Sequence, residues 1–448
     1  MQLVAYGAQD VYLTGNPKVT FFQAVYKRHT NFAMETIQQT LNGTVGNGNR
    51  VSVTIARNGD LVGYMYVELT PKESISYTST DAAADVNWMA ERAFSAIELT
   101  IGGQRIDKHY QTWWRLYSEL FLGDEGKVKY GKMTTCGAAG DGITPATVHT
   151  STKVYLPLLF FFNRNPGLYL PLIALQYHEV RLDFDCATNF NVFFDTSTQP
   201  VVWANYVFLD TEERRRFAQK SHEYLIEQVQ HTGGDSLGTG TSAQLVRLSL
   251  NHPVKELVWC YQDSAYSMGT TKYNSMWNFS TNAANVQVSI DTSLGATPNT
   301  IVFAQTTGVP RQLITQATTS VNQVEEGAAV TGAGGAEVGP LTSFKLILNG
   351  QDRFKEQPGK YFNQIQPYFH HTGTPYPGIY SYSFALQPEE HQPTGTCNFS
   401  RIDNAQVSVA LKAGTAKTQK LFAVNYNVLR ISSGMGGELA FRRVASAA

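Results

Sequence analysis

Three stretches of this chain hold residue types that could do chemistry. Gly126 to Lys132 reads G-K-V-K-Y-G-K, close to a loop whose backbone amides and lysine cradle a nucleotide's phosphates. That chemistry also needs a Ser or Thr after the lysine to hold Mg²⁺, and an apolar strand leading in. Met133 stands in the first place and no strand pattern fills the second, so a solvated basic turn is expected. His178, Glu179, Asp183 and Asp185 are metal-ligand types. Strand alternation, however, points His178 away from the three acids and sets Arg181 among them, so the expectation is a salt-bridged strand face. His370 and His371 are adjacent, without the H-x-H spacing and following Glu of a cupin-type metal site. No catalytic residue, metal ligand or cofactor is assigned, and an enzyme is not expected.

Modification is the remaining chemistry. Three N-x-S/T acceptor sequences occur, at Asn42, Asn278 and Asn398. Each is either an N-glycosylation site or an unmodified turn residue.

The elements that position these residues are strands. Ile97, Leu99 and Ile101 alternate with Glu98 and Thr100, and Gly102-Gly103 follows. That is a strand with one buried face leading into a two-residue hairpin turn. The pattern recurs at Phe344, Leu346 and Leu348, followed by Asn349-Gly350. In both copies Gln follows the turn, and an aromatic-rich segment follows the Gln. Further runs are spaced alike in the two halves. Glu35–Leu41, Arg50–Ala56 and Leu61–Leu69 are matched by Tyr224–Val229, Ala243–Leu250 and Leu257–Tyr261. Val201–Leu209 closes the first half; Ile379–Leu386, Ala405–Leu411 and Leu421–Ile431 close the second. Trp113, Trp114, Tyr117, Leu120 and Phe121 lie at helical spacing, so one amphipathic helix is expected between Tyr110 and Leu122. Strands and helices do not alternate regularly, which disfavours a parallel sheet and favours an antiparallel sandwich or barrel.

The expected organisation is an N-terminal arm over residues 1–25, a first domain over 26–215 and a second over 216–448. The arm carries a short helix after Asn16-Pro17 that either plugs the first domain or touches a neighbour. The charge run Glu212 to Arg216 is expected as an exposed turn between the domains. The second domain carries a polar Gly/Thr/Asn-rich insertion over 262–340, a loop composition.

Composition narrows the function. The 448 residues carry a net charge of −1, and 16% are charged, below the ~25% of ordinary soluble domains. Without clustered Lys and Arg, direct coating of nucleic acid is disfavoured. Aromatic residues make up 12% of the chain, so much of its surface is expected to be covered by contacts. The four cysteines are scattered, without zinc or disulfide spacing, which fits folding in a reducing compartment. No apolar run approaches the ~20 residues of a transmembrane helix, and none near the start resembles a signal peptide.

Long blocks carry a family resemblance. Tyr6 to Asn31, I-G-G-Q-R-I-D-K-H-Y from Ile101, L-P-L-I-A-L-Q-Y-H-E-V from Leu170 and L-N-G-Q-D-R-F from Leu348 are four of them. G-T-C-N-F-S-R-I-D-N from Gly395 and N-Y-N-V-L-R-I-S-S-G-M-G-G from Asn425 complete the set. Together they resemble the major capsid proteins of nucleocytoplasmic large DNA viruses, most nearly the algal, chlorella-virus branch. The resemblance implies an all-β chain of two tandem eight-stranded antiparallel jelly rolls with short helices in loops. It implies homotrimers of pseudo-hexagonal outline tiling an icosahedral shell over an internal membrane, made and assembled in the host cytoplasm. Neighbouring capsomers and minor capsid proteins are the implied partners, and N-linked glycans at Asn278, Asn398 or Asn42 a possible addition. The insertion becomes the candidate outward tower. The alternative is a carbohydrate-binding or host-attachment protein on the same scaffold, since jelly rolls also occur in lectins.

Overall fold

Two consecutive residues with positive φ turn the chain at each of the paired hairpins: Gly102 (57°) and Gly103 (81°), then Asn349 (51°) and Gly350 (79°). Left-handed conformation at both central positions matches the turn to the right-handed twist of the strands, and Gly and Asn tolerate it best. The computed structural model describes residues 7–9, 30–72, 88–135, 153–263, 277, 279, 286–290, 301–305, 312–313, 339–375, 378–412, 417–432 and 434–438. Apart from residues 7–9 the N-terminal arm lies outside them, as does Asn278.

Eight strands build the first half: β1 (Phe32–Gln39), β2 (Arg50–Thr54), β3 (Leu61–Leu69), β4 (Phe94–Ile101), β5 (Gln104–Tyr110), β6 (Val154–Pro157), β7 (Val180–Cys186) and β8 (Val201–Leu209). They pair into two antiparallel sheets, ordered β1-β8-β3-β6 and β2-β7-β4-β5. The two-residue strands Leu41–Asn42 and Leu170–Pro171 extend them at β2 and β3. Met65, Val67, Ile97, Leu99, Leu182 and Phe184 point inward and are fully buried, as strand alternation requires.

The second half is built from β9 (His222–Leu237), β10 (Gln244–Leu248), β11 (Pro253–Asp263), β12 (Leu341–Leu348), β13 (Ile379–Ser383), β14 (Ala405–Leu411) and β15 (Lys417–Ser432). Its sheets run β9-β15-β11-β13 and β10-β14-β12, the latter closed by the short strand Gln351–Asp352. Position by position this is the order of the first half. Interleaved pairing of early and late strands in two facing sheets is the jelly roll, and the chain contains it twice. Trp259, Phe344, Phe362 and Leu421 fill the second interior.

Three expectations change. The basic stretch at Gly126 is not a turn but part of helix α2 (Asp124–Thr134), which follows α1 (Gln111–Leu120). The charge run after Asp210 is helix α3 (Thr211–Gln219), which has no buried residue and is capped where Asp210 Oδ1 accepts from the Glu213 amide at 3.0 Å. The insertion contains a small antiparallel sheet in which Val286–Ile290 pairs with Ile301–Gln305, and that strand with Gln312–Leu313.

Candidate functional site

None of the residue groups with chemical promise forms a reactive site. Lys127, in the near phosphate-loop stretch, is buried inside α2. Its Nζ donates to the carbonyl of Thr374 at 2.7 Å and pairs with Glu119 at 3.3 Å. Asp183 and Asp185 belong to an ion lattice on the outer face of the β2-β7-β4-β5 sheet. Arg50 meets Asp183 at 3.3 Å and Asp185 at 3.5 Å, Arg181 meets Asp183 at 2.8 Å, and Lys108 bridges Glu98 and Asp185. The lattice neutralises the acids that metal binding would need. His178 is elsewhere: its Nδ1 lies 2.8 Å from the Gly436 carbonyl oxygen and 3.1 Å from the Gly436 amide nitrogen. His371 lies between Glu256 and Glu389, 3.3 Å from each. Among the described residues no group of three or more His, Cys, Asp or Glu is arranged to hold a metal ion.

The acceptor asparagines separate. Asn42 is exposed in its short strand. The Asn398 side chain caps a turn, its Oδ1 accepting from the Ser400 amide at 3.1 Å, while Ser400 Oγ accepts from the His252 amide at 2.8 Å. Asn278 itself lies outside the described residues, but Trp277 and Phe279 on either side are buried with the first barrel's core.

The most elaborate chemistry lies between the barrels. The outer face of the β9-β15-β11-β13 sheet presents Ile226, Val258, Cys260, Phe422 and Val424, which join the first barrel's core cluster. The first barrel answers with β5 and α1. Trp113 packs on Phe422 with centroids 5.7 Å apart, Phe422 stacks on His231 at 4.4 Å, and Tyr110 meets His231 edge-on at 5.0 Å. Each large apolar side chain buried here contributes about 1.5–3 kcal/mol. Polar bonds fix the register. Gln228 Nε2 donates to the Ile106 carbonyl, the Val229 amide donates to Asp107 Oδ1 at 3.1 Å, and the Gly373 amide donates to the Leu120 carbonyl at 2.9 Å.

Two buried ionic groups flank this joint. Glu227 on β9 receives Lys255 at 2.7 Å and, from the first barrel, Arg164 at 3.0 Å, with His391 at 3.9 Å. Burial pushes its carboxyl up, but His391, Arg164 and Lys255 outweigh that and hold it at about 2. Beneath α1, Arg115 sits over the Trp88 ring, pairs with Glu119 at 3.0 Å and lies 3.6 Å from Glu91, which accepts from Tyr130 Oη at 2.6 Å. Glu91 is fully buried, and desolvation raises its carboxyl to about 7 despite Arg115 and Tyr130. Arg115 and Glu119 stand at i and i+4 among buried Trp113, Trp114, Leu116 and Leu120. Charged residues on the apolar side of a helix were the available signal for this cluster.

The two jelly rolls are thus joined by a buried apolar contact and a buried ion pair. Comparison with known proteins gives the family. Residues 213–437 match the large eukaryotic DNA virus major capsid protein family, and residues 20–210 match the major capsid protein N-terminus. The chain is 43% identical to the major capsid protein of Paramecium bursaria Chlorella virus 1, over 97% of this chain and 98% of that one. To that of Phaeocystis pouchetii virus it is 41% identical, over 98% of both. The PBCV-1 protein VP54 superimposes with a TM-score of 0.71 at 39% identity, covering 94% of this chain and 99% of that one. The faustovirus major capsid protein shares the fold at 12% identity, with a TM-score of 0.64 over 93% of each chain. The chain belongs to the major capsid protein family of large eukaryotic DNA viruses: it is a structural subunit of the virion shell, assembles with itself, and is not an enzyme.

Proposed function

We propose that the chain works as a homotrimer of pseudo-hexagonal outline, the tile of an icosahedral shell. The observation that carries this reading is the identical sheet order of the two barrels. Two similar wedges per chain give three chains six similar wedges, so a threefold particle packs on a hexagonal lattice. The domains divide at 215/216, within exposed α3, and the 262–340 insertion, set between β11 and β12, is the candidate for the outward tower. Neighbouring capsomers and minor capsid proteins are the partners, and the arm over residues 1–25 is a candidate for such contacts. Nucleic acid is not contacted directly, in keeping with the net charge of −1. The shell overlies an internal membrane and is assembled in the host cytoplasm. No described helix is long and apolar enough to cross that membrane.

Glycans are a further proposal, with Asn42, Asn278 and Asn398 as the acceptors. Intact mass of virion-derived protein tests it, since agreement with the bare 49.6 kDa chain removes it. For assembly, light scattering coupled to size-exclusion chromatography is expected to give three times the chain mass, and electron microscopy hexagonal arrays. A monomer with saturable sugar affinity would overturn the shell tile in favour of a lectin-like attachment protein.

A further inference from the structure

Four consecutive residues of the second barrel, His371 to Thr374, hold the end of α1 and the start of α2. The His371 ring meets Phe121 edge-on with centroids 5.2 Å apart. Thr372 Oγ1 donates to the Phe121 carbonyl at 3.2 Å, and the Gly373 amide donates to the Leu120 carbonyl at 2.9 Å. The Thr374 carbonyl accepts from Lys127 Nζ at 2.7 Å. Two carboxylates fix this segment on its own barrel. His371 Nδ1 lies 3.3 Å from Glu389 Oε1, and its Nε2 lies 3.3 Å from Glu256 Oε2. The same Glu389 oxygen accepts from the Thr372 amide at 2.9 Å.

Glu256 stands on β11 two residues before Val258, on the face that the first barrel covers. Its side chain and that of His371 are fully buried, whereas Glu389 is partly exposed. Among the described residues neither Glu256 oxygen makes an aligned hydrogen bond, and nor does His371 Nε2. A buried carboxylate without hydrogen bonds is costly to ionise. Desolvation accordingly raises the Glu256 carboxyl; His371 and Lys255 oppose that, while Glu227 and Glu389 add to it. The other charges around this point are matched among themselves. Glu227 has Lys255, Arg164 and His391, and Glu119 has Arg115 and Lys127. Tyr426 on β15 faces Glu227 and Glu256, and burial raises its hydroxyl so that it stays protonated.

The geometry sets a proton count. A neutral imidazole carries one N–H and donates to one carboxylate, so its other nitrogen turns a lone pair toward the second. With both glutamates ionised that contact is repulsive. The arrangement therefore needs one further proton, either on the ring or on Glu256, whose O–H then donates to Nε2. Separated in water, three such groups keep this proton on the imidazole up to about pH 6.5. We propose that Glu256, His371 and Glu389 form a proton-held latch on the joint: the shared proton keeps the 371–374 segment against α1, and its loss releases the segment and frees the two barrels to move separately. The closed triad titrates as one unit and holds its proton to higher pH than the released groups. The stability of the joint is then full below about 6.5 and is lost as pH rises from there through the closed triad's higher value. The latch lies within one chain and does not depend on the trimer.

Hydrogen exchange read by mass spectrometry from about pH 5 to about pH 9, with rates corrected for the intrinsic pH dependence of amide exchange, tests it. In wild type, protection of 371–374 and of the end of α1 is expected to hold to about pH 6.5. Above that it is expected to fall by up to about tenfold per pH unit, the limit for one proton. Glu256→Gln places an amide N–H opposite Nε2. Glu389→Gln lets the ring accept at Nδ1 and donate from Nε2 to Glu256. Neither variant needs the extra proton, so each is expected to give a flat profile over 371–374. Should Glu256→Gln fail to fold, Glu389→Gln, at a partly exposed position, decides alone. A flat wild-type profile overturns the latch. So does a wild-type slope that persists in the glutamine variants, which would assign the dependence to Glu91 or to other groups.

Discussion

Arg164 and Glu227 come from different barrels and meet at 3.0 Å, with Lys255 on the other carboxylate oxygen at 2.7 Å. Glu227 lies at about 2 in the fold against 4.5 in an unfolded chain. A depressed carboxylate stabilises the fold above the unfolded value, and that stability is lost as pH falls through 4.5 toward 2. Denaturant unfolding of wild type is therefore expected to lose on the order of 3 kcal/mol over that window from this group. Glu227→Gln removes this component of the acid sensitivity and costs about 3–5 kcal/mol at neutral pH, because Arg164 and Lys255 remain buried without their counter-charge.

Glu91 carries the opposite sign. Its folded value of about 7 stands above the ordinary 4.5, so between those pH values the folded chain binds the extra proton. Stability then falls as pH rises from 4.5 to 7 and stays lower above that, by on the order of 3 kcal/mol from this site. Glu91→Gln keeps an oxygen to accept from Tyr130 and loses the titration. The expected result is a flatter stability profile between pH 5 and 8, with the variant's slope reduced and its acid-side stability little changed. An unchanged slope would assign the dependence to other groups.

The sheets were legible in the sequence because their signals are local. Ile97, Leu99 and Ile101 alternate, and Gly102-Gly103 and Asn349-Gly350 mark turns wherever they occur. The lengths of β9 and β15 were not. Their apolar runs cover Tyr224–Val229 and Leu421–Ile431, whereas the pairing extends over His222–Leu237 and Lys417–Ser432. The added residues, Gly234 and Asp235 among them, are held by the partner strand across a bulge and not by their own pattern. Helix α3 had its signals, Asp210 as cap and Glu212-Glu213 in the first turn, hidden under a reading of the charges as a turn. Lys127 was beyond reach, because its burial depends on Thr374, nearly 250 positions away. The joint is non-local in the same sense. Only the excess of aromatic residues over what two interiors need hinted at a third apolar surface.

Asn349 tests the second hairpin. It holds φ at 51°, and its Oδ1 accepts from the Asp403 and Asn404 amides, both at 3.1 Å. Asn349→Gly keeps the left-handed turn and loses those two bonds, an expected cost of about 1–2 kcal/mol. Asn349→Ala loses the bonds and adds about 1 kcal/mol of backbone strain. Denaturant midpoints in the order wild type, glycine, alanine are the expected result. Equal midpoints for the two variants would mean that the turn relaxes to another geometry.

Gly373 tests whether the two barrels form one rigid unit. Its amide donates to the Leu120 carbonyl at 2.9 Å, and a Cβ at this position would overlap the backbone carbonyl oxygens of Glu119 and Leu120. Backbone atoms at the end of α1 cannot swing aside as a side-chain tip can, so Gly373→Ala forces α1 away from the second barrel. That strains the Lys127 bond to Thr374 at 2.7 Å and the contact of Phe121 with His371. Each barrel keeps its own interior, so secondary structure is expected to survive while the joint loosens. Hydrogen exchange is the discriminating measurement: faster exchange confined to α1 and to 371–374 is the expected pattern, with the amides of β12 and β14 unchanged. A global loss of protection would show that the barrels do not fold without the joint. No change anywhere would mean that the approach of Gly373 to α1 does not hold the barrels together.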